Sequence, residues 1–214
     1  MDVPRLPSNF RGYRPEPDEF DGASWYQVQI EGADLSGARV EEAEIEQCRL
    51  VRVGLAGAQI AHLTVVDSEV DHGDWANATF ETCGLRRVLI KDSRMTGLSF
   101  IDGMVRDVEF RDCKLDLTNW RANIFTSVHF VRCDLARADF VGADLRGASF
   151  FECGMGAAQF SNAKASGAQF LDCDLSGIGG IGSLAGAKIR SDDLLTLTGL
   201  LARELGITIE ASMQ

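Results

Sequence analysis

The sequence predicts an all-β solenoid, and three observations predict it. From Phe20 to Leu175 a bulky apolar residue falls on every fifth position, with Ala165 as the one small substitute. The position two before it is nearly always Ala, Cys, Val, Ser, Gly or Thr, as at Ala33, Cys48, Ala78, Cys113 and Ala143. All four prolines, Pro4, Pro7, Pro15 and Pro17, precede the run.

A period of five matches neither the 3.6 of a helix nor the 2.0 of a strand. A step of five turns a helix by roughly 140° and would smear apolar side chains around it. In a straight strand an odd step alternates faces and would put half of them in water. A chain that turns by a fixed angle every five residues instead returns each large side chain to one axis, which is a solenoid. The second inward position, restricted to small groups, predicts a narrow core. Leu63, Leu98 and Asn123 are its exceptions, and a buried Asn123 needs hydrogen-bond partners.

In chain order, residues 1–17 read as a Pro-rich lead-in, because a proline inside a coil would remove a ladder donor. Phe10 and Tyr13 are candidates to fold over the open end of the core, a cap that repeat arrays require. Residues 18–190 are the coils. Gly177, Gly179, Gly180 and Gly182 end the strict repeat, and residues 183–189 read as one last imperfect turn. In 191–214, Ser191-Asp192-Asp193 supplies an N-cap and two carboxylates for a helix start. Leu194, Leu195, Leu197, Leu200, Leu201 and Leu205 follow, with Gly206 as the stop and residues 207–210 as a short strand. These leucines spread beyond one narrow stripe, so the helix is expected both to cap the core and to offer a second apolar side for a homodimer.

Composition limits function. The chain has 214 residues and a formal net charge of −11, which argues against direct nucleic-acid contact and favours basic partners. No apolar run is long enough to span a bilayer, so no membrane role is expected. Residues 1–20 lack the basic start and apolar core of a secretory signal, so a cytoplasmic location is expected. All six cysteines occupy the small inward position, and Cys113, Cys133, Cys153 and Cys173 recur at intervals of twenty, which reads as reduced packing groups. His62, His72 and His129 fall at outward positions and do not join that column, which disfavours a metal site. No nucleophile–histidine pair, paired carboxylates or phosphate loop rises above the repeat, and 177–182 lacks the Lys-Ser/Thr of a P-loop. Asp34, Asp134, Asp139, Asp144 and Asp174 recur in phase and read as turn-stabilising residues. A non-enzyme without cofactor is expected.

Ala33-Asp34-Leu35-Ser36-Gly37, Cys133-Asp134-Leu135-Ala136-Arg137, Ala138-Asp139-Phe140-Val141-Gly142 and Ala143-Asp144-Leu145-Arg146-Gly147 resemble the repeat of the pentapeptide-repeat proteins: Ala, Asp or Asn, Leu, then two variable residues. The resemblance covers about three quarters of the chain. It implies a right-handed, four-sided parallel β-helix, here of about eight coils, with one pentapeptide per side.

Outward charge is uneven. The side through Phe20, Val40, Phe80 and Trp120 displays Glu19, Asp21, Glu41, Glu42, Glu81, Asp102 and Asp139 against Arg39 and Arg121. Glu31, Glu44 and Glu46 add acid in the first coils. Any solenoid needs polar outward residues for solubility. An acidic rod also presents the field that a basic DNA groove attracts. Similarity to the quinolone-resistance branch of the family, the MfpA and Qnr type, implies a DNA mimic that binds DNA gyrase or topoisomerase IV and alters its activity or quinolone sensitivity. It also implies a dimer through the C-terminal segments. The projecting loops of Qnr-type members are absent from this register. A protein-interaction scaffold with no topoisomerase role is the alternative.

Overall fold

The computed structural model describes residues 1–190 and 194–208. The apolar period winds into a four-sided parallel β-helix. In the regular coils each residue pairs with the one twenty further on, as in Ile90↔Phe110, Phe110↔Phe130 and Phe130↔Phe150. The first side is a ladder of ten parallel strands from Arg11–Tyr13 to Lys188–Ile189, so the rod makes nine inter-coil steps rather than about eight. The extra turn comes from the ends. Tyr13 pairs with Ile30 across seventeen residues and Phe170 with Ile189 across nineteen. The lead-in therefore stops short of residue 17, because residues 11–13 already belong to the sheet.

The remaining sides follow in order of the chain. The second, through Leu35, Leu55, Trp75, Met95 and Leu115, is built of turns joined by isolated bridges such as Asp34↔Gly54 and Arg94↔Lys114. The third has paired strands from Arg39–Val40 to Ser99–Ile101 and continues as turns from Asn119. The fourth is strand-like through Trp25, Ile45, Val65, Leu85, Val105 and Phe125, and turns from Asp144.

Nearly every corner places a residue in left-handed conformation two places after the central one, Glu42 and Gly147 being the exceptions. Where that residue is not glycine its φ lies between +48° and +60°, as at Asp67, Asp102 and Leu117. Asp and Asn tolerate this conformation best among non-glycine residues. The recurring aspartates one place before the central residue close the turns. The side chains of Asp34, Asp134, Asp139, Asp144 and Asp174 each accept the N–H two residues on, at 2.9–3.3 Å.

Central residues fill the axis. Phe110, Phe130, Phe150 and Phe170 stack with centroids 4.8–4.9 Å apart and planes within 8°. That spacing is the separation of neighbouring strands, so the coil rise itself sets the stack.

The small inward position has a chemical rule besides size. At turn corners the backbone satisfies itself, as in Ala58 N–H to the Leu55 carbonyl at 3.0 Å, and alanine suffices. At strand corners such as those of Cys48, Leu63 and Gly73 a side chain one coil further on completes the bonding. Ser68 Oγ accepts the Cys48 N–H at 3.0 Å and donates to the Val66 carbonyl at 2.7 Å, and Ser93 treats Gly73 and Lys91 likewise. The cysteines are buried thiols, in no disulfide, and of this class. The Cys133 Sγ lies 3.4 Å from the Phe110 carbonyl and 3.5 Å from that of Val131.

Asn123 sits where the third side changes from strand to turn. It is fully buried and accepts the Gly103 N–H at 2.8 Å, while its amide donates to the Phe100 carbonyl and to that of Arg121 at 3.3 Å. Gly103 is compulsory there, since a Cβ would stand 2.2 Å from Phe100 and 2.8 Å from the Cys83 carbonyl. The fourth side changes over at Gly147, where a Cβ would meet the Phe125 carbonyl at 2.9 Å.

Candidate protein-interaction surface

At the top of the rod Tyr13 packs edge-on to Trp25 at 6.1 Å, and Phe20 stacks on Trp25 at 5.0 Å. Tyr13 thus belongs to the cap. Phe10 lies aside, its ring 5.1 Å beneath the Arg49 guanidinium. Glu19 holds this cap together. Its carboxylate accepts the Tyr13 hydroxyl at 3.2 Å and the Glu16 N–H at 2.9 Å.

Of the seven acidic residues of the third side, three are occupied locally. Glu19 serves the cap. Asp21 accepts the Glu41 N–H at 2.7 Å. Asp139 closes its own turn through the Val141 N–H and pairs with Arg121 at 2.7 Å. Glu41, Glu42, Glu81 and Asp102 are exposed and make no side-chain hydrogen bond or ion pair among the described residues. Glu41, Ala61 and Glu81 fall in one column on successive coils. The short Ala61 leaves a notch between the two carboxylates, floored by Ile60 and walled by Arg39, Gln59 and Thr79. Around the corner Glu41, Glu42, His62, Thr64 and Thr82 line a second shallow depression, next to the exposed Glu44 and Glu46.

The first side carries as many carboxylates but neutralises most of them. Glu69 is bound by Arg49 at 3.1 Å and Lys91 at 2.8 Å, Asp71 by Lys91 at 3.2 Å, and Asp112 by both nitrogens of the Arg132 fork at 2.7 and 2.6 Å. Glu109 pairs with Arg111, Glu31 with Arg52, and Asp172 with Arg190 at 2.7 Å. The Arg132 guanidinium holds the Asp112 carboxyl below the usual range. On the third side and its corner with the fourth, by contrast, Glu41, Glu42, Glu81 and Asp102 form an edge of unpaired acid. Pairing across coils was hidden from a reading of residue types alone, although the twenty-residue spacing of Asp112 and Arg132 contained it.

Asp71, His72 and Asp92 bring three possible ligand atoms within 4.8 Å of one another, a trio that the sequence reading did not single out. Its Asp71 is already shared between His72 at 2.5 Å and Lys91 at 3.2 Å.

At the bottom a helix spans Leu194–Glu204. Gly206 stops it with φ +68°, and the bonds Gly206 N–H to the Arg203 carbonyl and Ile207 N–H to that of Ala202 close the end. Leu197 is buried on the last coil and Leu200 packs partly against the core, while Leu201, Leu205 and Ile207 are exposed. Ile181, Leu184, Ala187, Ile189, Leu197 and Leu201 line an apolar hollow between the helix and the last coil. The side chains of Leu194 and Leu195, the capping Ser191-Asp192-Asp193 and residues 209–210 lie outside the described residues. Residues 207–208 form no strand. No helix among the described residues is long and apolar enough to cross a membrane.

A family model described as pentapeptide repeat region matches residues 72–140. Among solved structures the chain is similar to a trypsin-treated variant of QnrB1, a plasmid-mediated fluoroquinolone resistance protein. Identity is 18% over 95% of this chain and 100% of that one, with a TM-score of 0.43. It is also similar to HetL, a pentapeptide-repeat protein involved in heterocyst differentiation regulation in the cyanobacterium Nostoc sp. strain PCC 7120. Identity there is 16% over 79% of this chain and 88% of that one, with a TM-score of 0.37. No curated protein matches.

Proposed function

We propose that this chain, a pentapeptide-repeat β-helix, is a non-catalytic binding rod. Its unpaired acidic edge engages the basic, DNA-binding surface of a type II topoisomerase, DNA gyrase in the first instance, and thereby alters its activity or quinolone sensitivity. The observation that carries this reading is the contrast between sides. Most carboxylates on the first side are held by arginine or lysine, Asp92 and Glu152 excepted, whereas Glu41, Glu42, Glu81 and Asp102 have no such partner.

Magnitudes define how far the mimicry goes. Nine steps at about 4.8 Å give a rod of roughly 43 Å. A duplex of that length carries about 25 charges, at one per 1.7 Å. The whole chain carries −11, so it matches less than half of that density. Its attraction is a local edge rather than a uniform cylinder, and binding should weaken with salt as surface electrostatics do. A second copy joined through Leu201, Leu205 and Ile207 would double the rod, and these exposed side chains support such a dimer.

The alternative, a scaffold for a different protein, draws support from exposed apolar residues away from the acid. Met104 and Ile124 lie side by side on the fourth side, and Phe151 is exposed on the first. Supercoiling by purified gyrase, titrated with the protein with and without a quinolone, separates the two. Inhibition or protection supports the topoisomerase reading; neither effect, together with no binding, removes it in favour of the scaffold.

A further inference from the structure

We propose that the corner between the fourth and first sides is a groove for an extended peptide, and that its occupant is the chain's own N-terminal segment, residues 1–10, laid lengthwise as a strap. This goes beyond the acidic edge and uses a different part of the surface.

Two main-chain bonds fix the segment. The Arg5 N–H donates to Asp67 Oδ1 at 3.1 Å, and the Asp2 N–H donates to Asp107 Oδ1 at 3.1 Å. Asp67 and Asp107 occupy the same corner two coils apart, whereas Arg11–Tyr13 is the first strand of the rod. Asp107 sits at the corner within Met104–Arg111, the fifth strand below Arg11–Tyr13 in the ladder, a drop of roughly 24 Å at about 4.8 Å per coil. Nine residue-to-residue steps lead from Asp2 to Arg11 and reach at most about 32 Å, so the segment runs nearly extended. Pro4 and Pro7 suit that path, because proline fixes φ in the extended range and needs no donor there. Phe10 under the Arg49 guanidinium anchors the upper end.

Burial beneath the segment marks the groove. Val66 points outward and is 8% exposed, while Tyr26, at the equivalent position two coils above, is 57% exposed. The Arg87–Asp67 pair spans two coils through bonds of 2.6 and 2.5 Å, with side chains only 15% and 6% exposed. The Arg132–Asp112 pair has the same spacing and fork but lies at 46% and 37%. The groove reads peptide N–H groups through two carboxylates and offers Val66 as an apolar floor. Its natural ligand is thus an extended backbone rather than a particular side-chain sequence. Release of the strap would uncover Val66 and the Asp67–Arg87 pair and unclamp the upper coils.

Distance measurement between spin labels tests this in the full chain. The six native cysteines are buried, so labels attach at Val3→Cys and Ser166→Cys, both exposed positions. The strap predicts one narrow distance peak. Arg5→Pro, which deletes the N–H that Asp67 accepts, broadens it, while Arg5→Ala, which keeps that N–H, leaves it narrow, with circular dichroism unchanged in both. A broad distribution in the parent double-cysteine protein, or a peak indifferent to Arg5→Pro, overturns the proposal. So does a dipolar signal between separately labelled copies mixed together when both also carry Leu201→Asp and Leu205→Asp to prevent a C-terminal dimer, since it would place the segment on a neighbouring molecule.

Discussion

Replacing Asn123 by alanine removes the group that joins two kinds of corner. The Gly103 N–H loses its acceptor at 2.8 Å and the Phe100 carbonyl loses its donor, both in the interior. Each orphaned buried backbone group costs about 1–3 kcal/mol, so Asn123→Ala should destabilise the rod by about 2–6 kcal/mol. Asn123→Ser should recover half or more of that loss. Ser68 and Ser93 already perform the same double task, accepting the N–H of the coil above and donating to the carbonyl two residues before. Guanidinium unfolding followed by far-ultraviolet circular dichroism measures the loss, and amide exchange at Gly103 locates it. A cost below about 1 kcal/mol for alanine, or a serine variant as unstable as the alanine one, would refute the bonding rule for the small inward position.

Other consequences are equally direct. Arg87→Ala leaves the Asp67 carboxylate buried without its partner and should cost about 3–5 kcal/mol at pH 7. Asp67 is held below its ordinary value, first by hydrogen bonding to Arg87, so its contribution is present above about pH 4 and is lost as pH falls through the folded value. The gap between parent and Arg87→Ala should therefore be constant from pH 5 to 8 and close in acid, and a gap that widens in acid would contradict the assignment. Burial pushes the Cys83 thiol up to about 11 and the Cys48 thiol up as well, so the native protein should resist an aromatic disulfide reagent at pH 8 and release six thiols on unfolding. Rapid labelling of the folded chain would contradict the packing of these groups. Sedimentation should show a dimer at micromolar concentration that Leu201→Asp with Leu205→Asp converts to monomer, and a monomeric parent would remove the dimer.

The fivefold period was legible because Ile30, Phe80, Phe130 and their fellows never leave register, and the core demands one large group per side. Both ends escaped it for a physical reason. Tyr13 and Ile189 join the ladder through steps of seventeen and nineteen residues, where loop geometry rather than core filling sets the count. The inward cysteines were legible as small groups, but their difference from alanine was not, because it depends on whether the corner is a strand or a turn. Gly103 and Gly147 were the available signals of that change. The strap left no side-chain pattern at all, since Asp67 and Asp107 bind peptide N–H groups. Seven acids on the third side were legible, yet only the folded chain shows that Glu19, Asp21 and Asp139 are already engaged.

The central claim is that binding resides in the carboxylates left without partners. Affinity for purified gyrase, measured at two salt concentrations, tests it directly by comparing charge reversal at two sets of positions. Glu41→Lys, Glu42→Lys, Glu81→Lys and Asp102→Lys together should weaken binding by more than tenfold and flatten its salt dependence. Reversal of the paired Asp112 and Asp172 to lysine should leave both almost unchanged. Equal losses from the two sets, or none from the first, would contradict the claim.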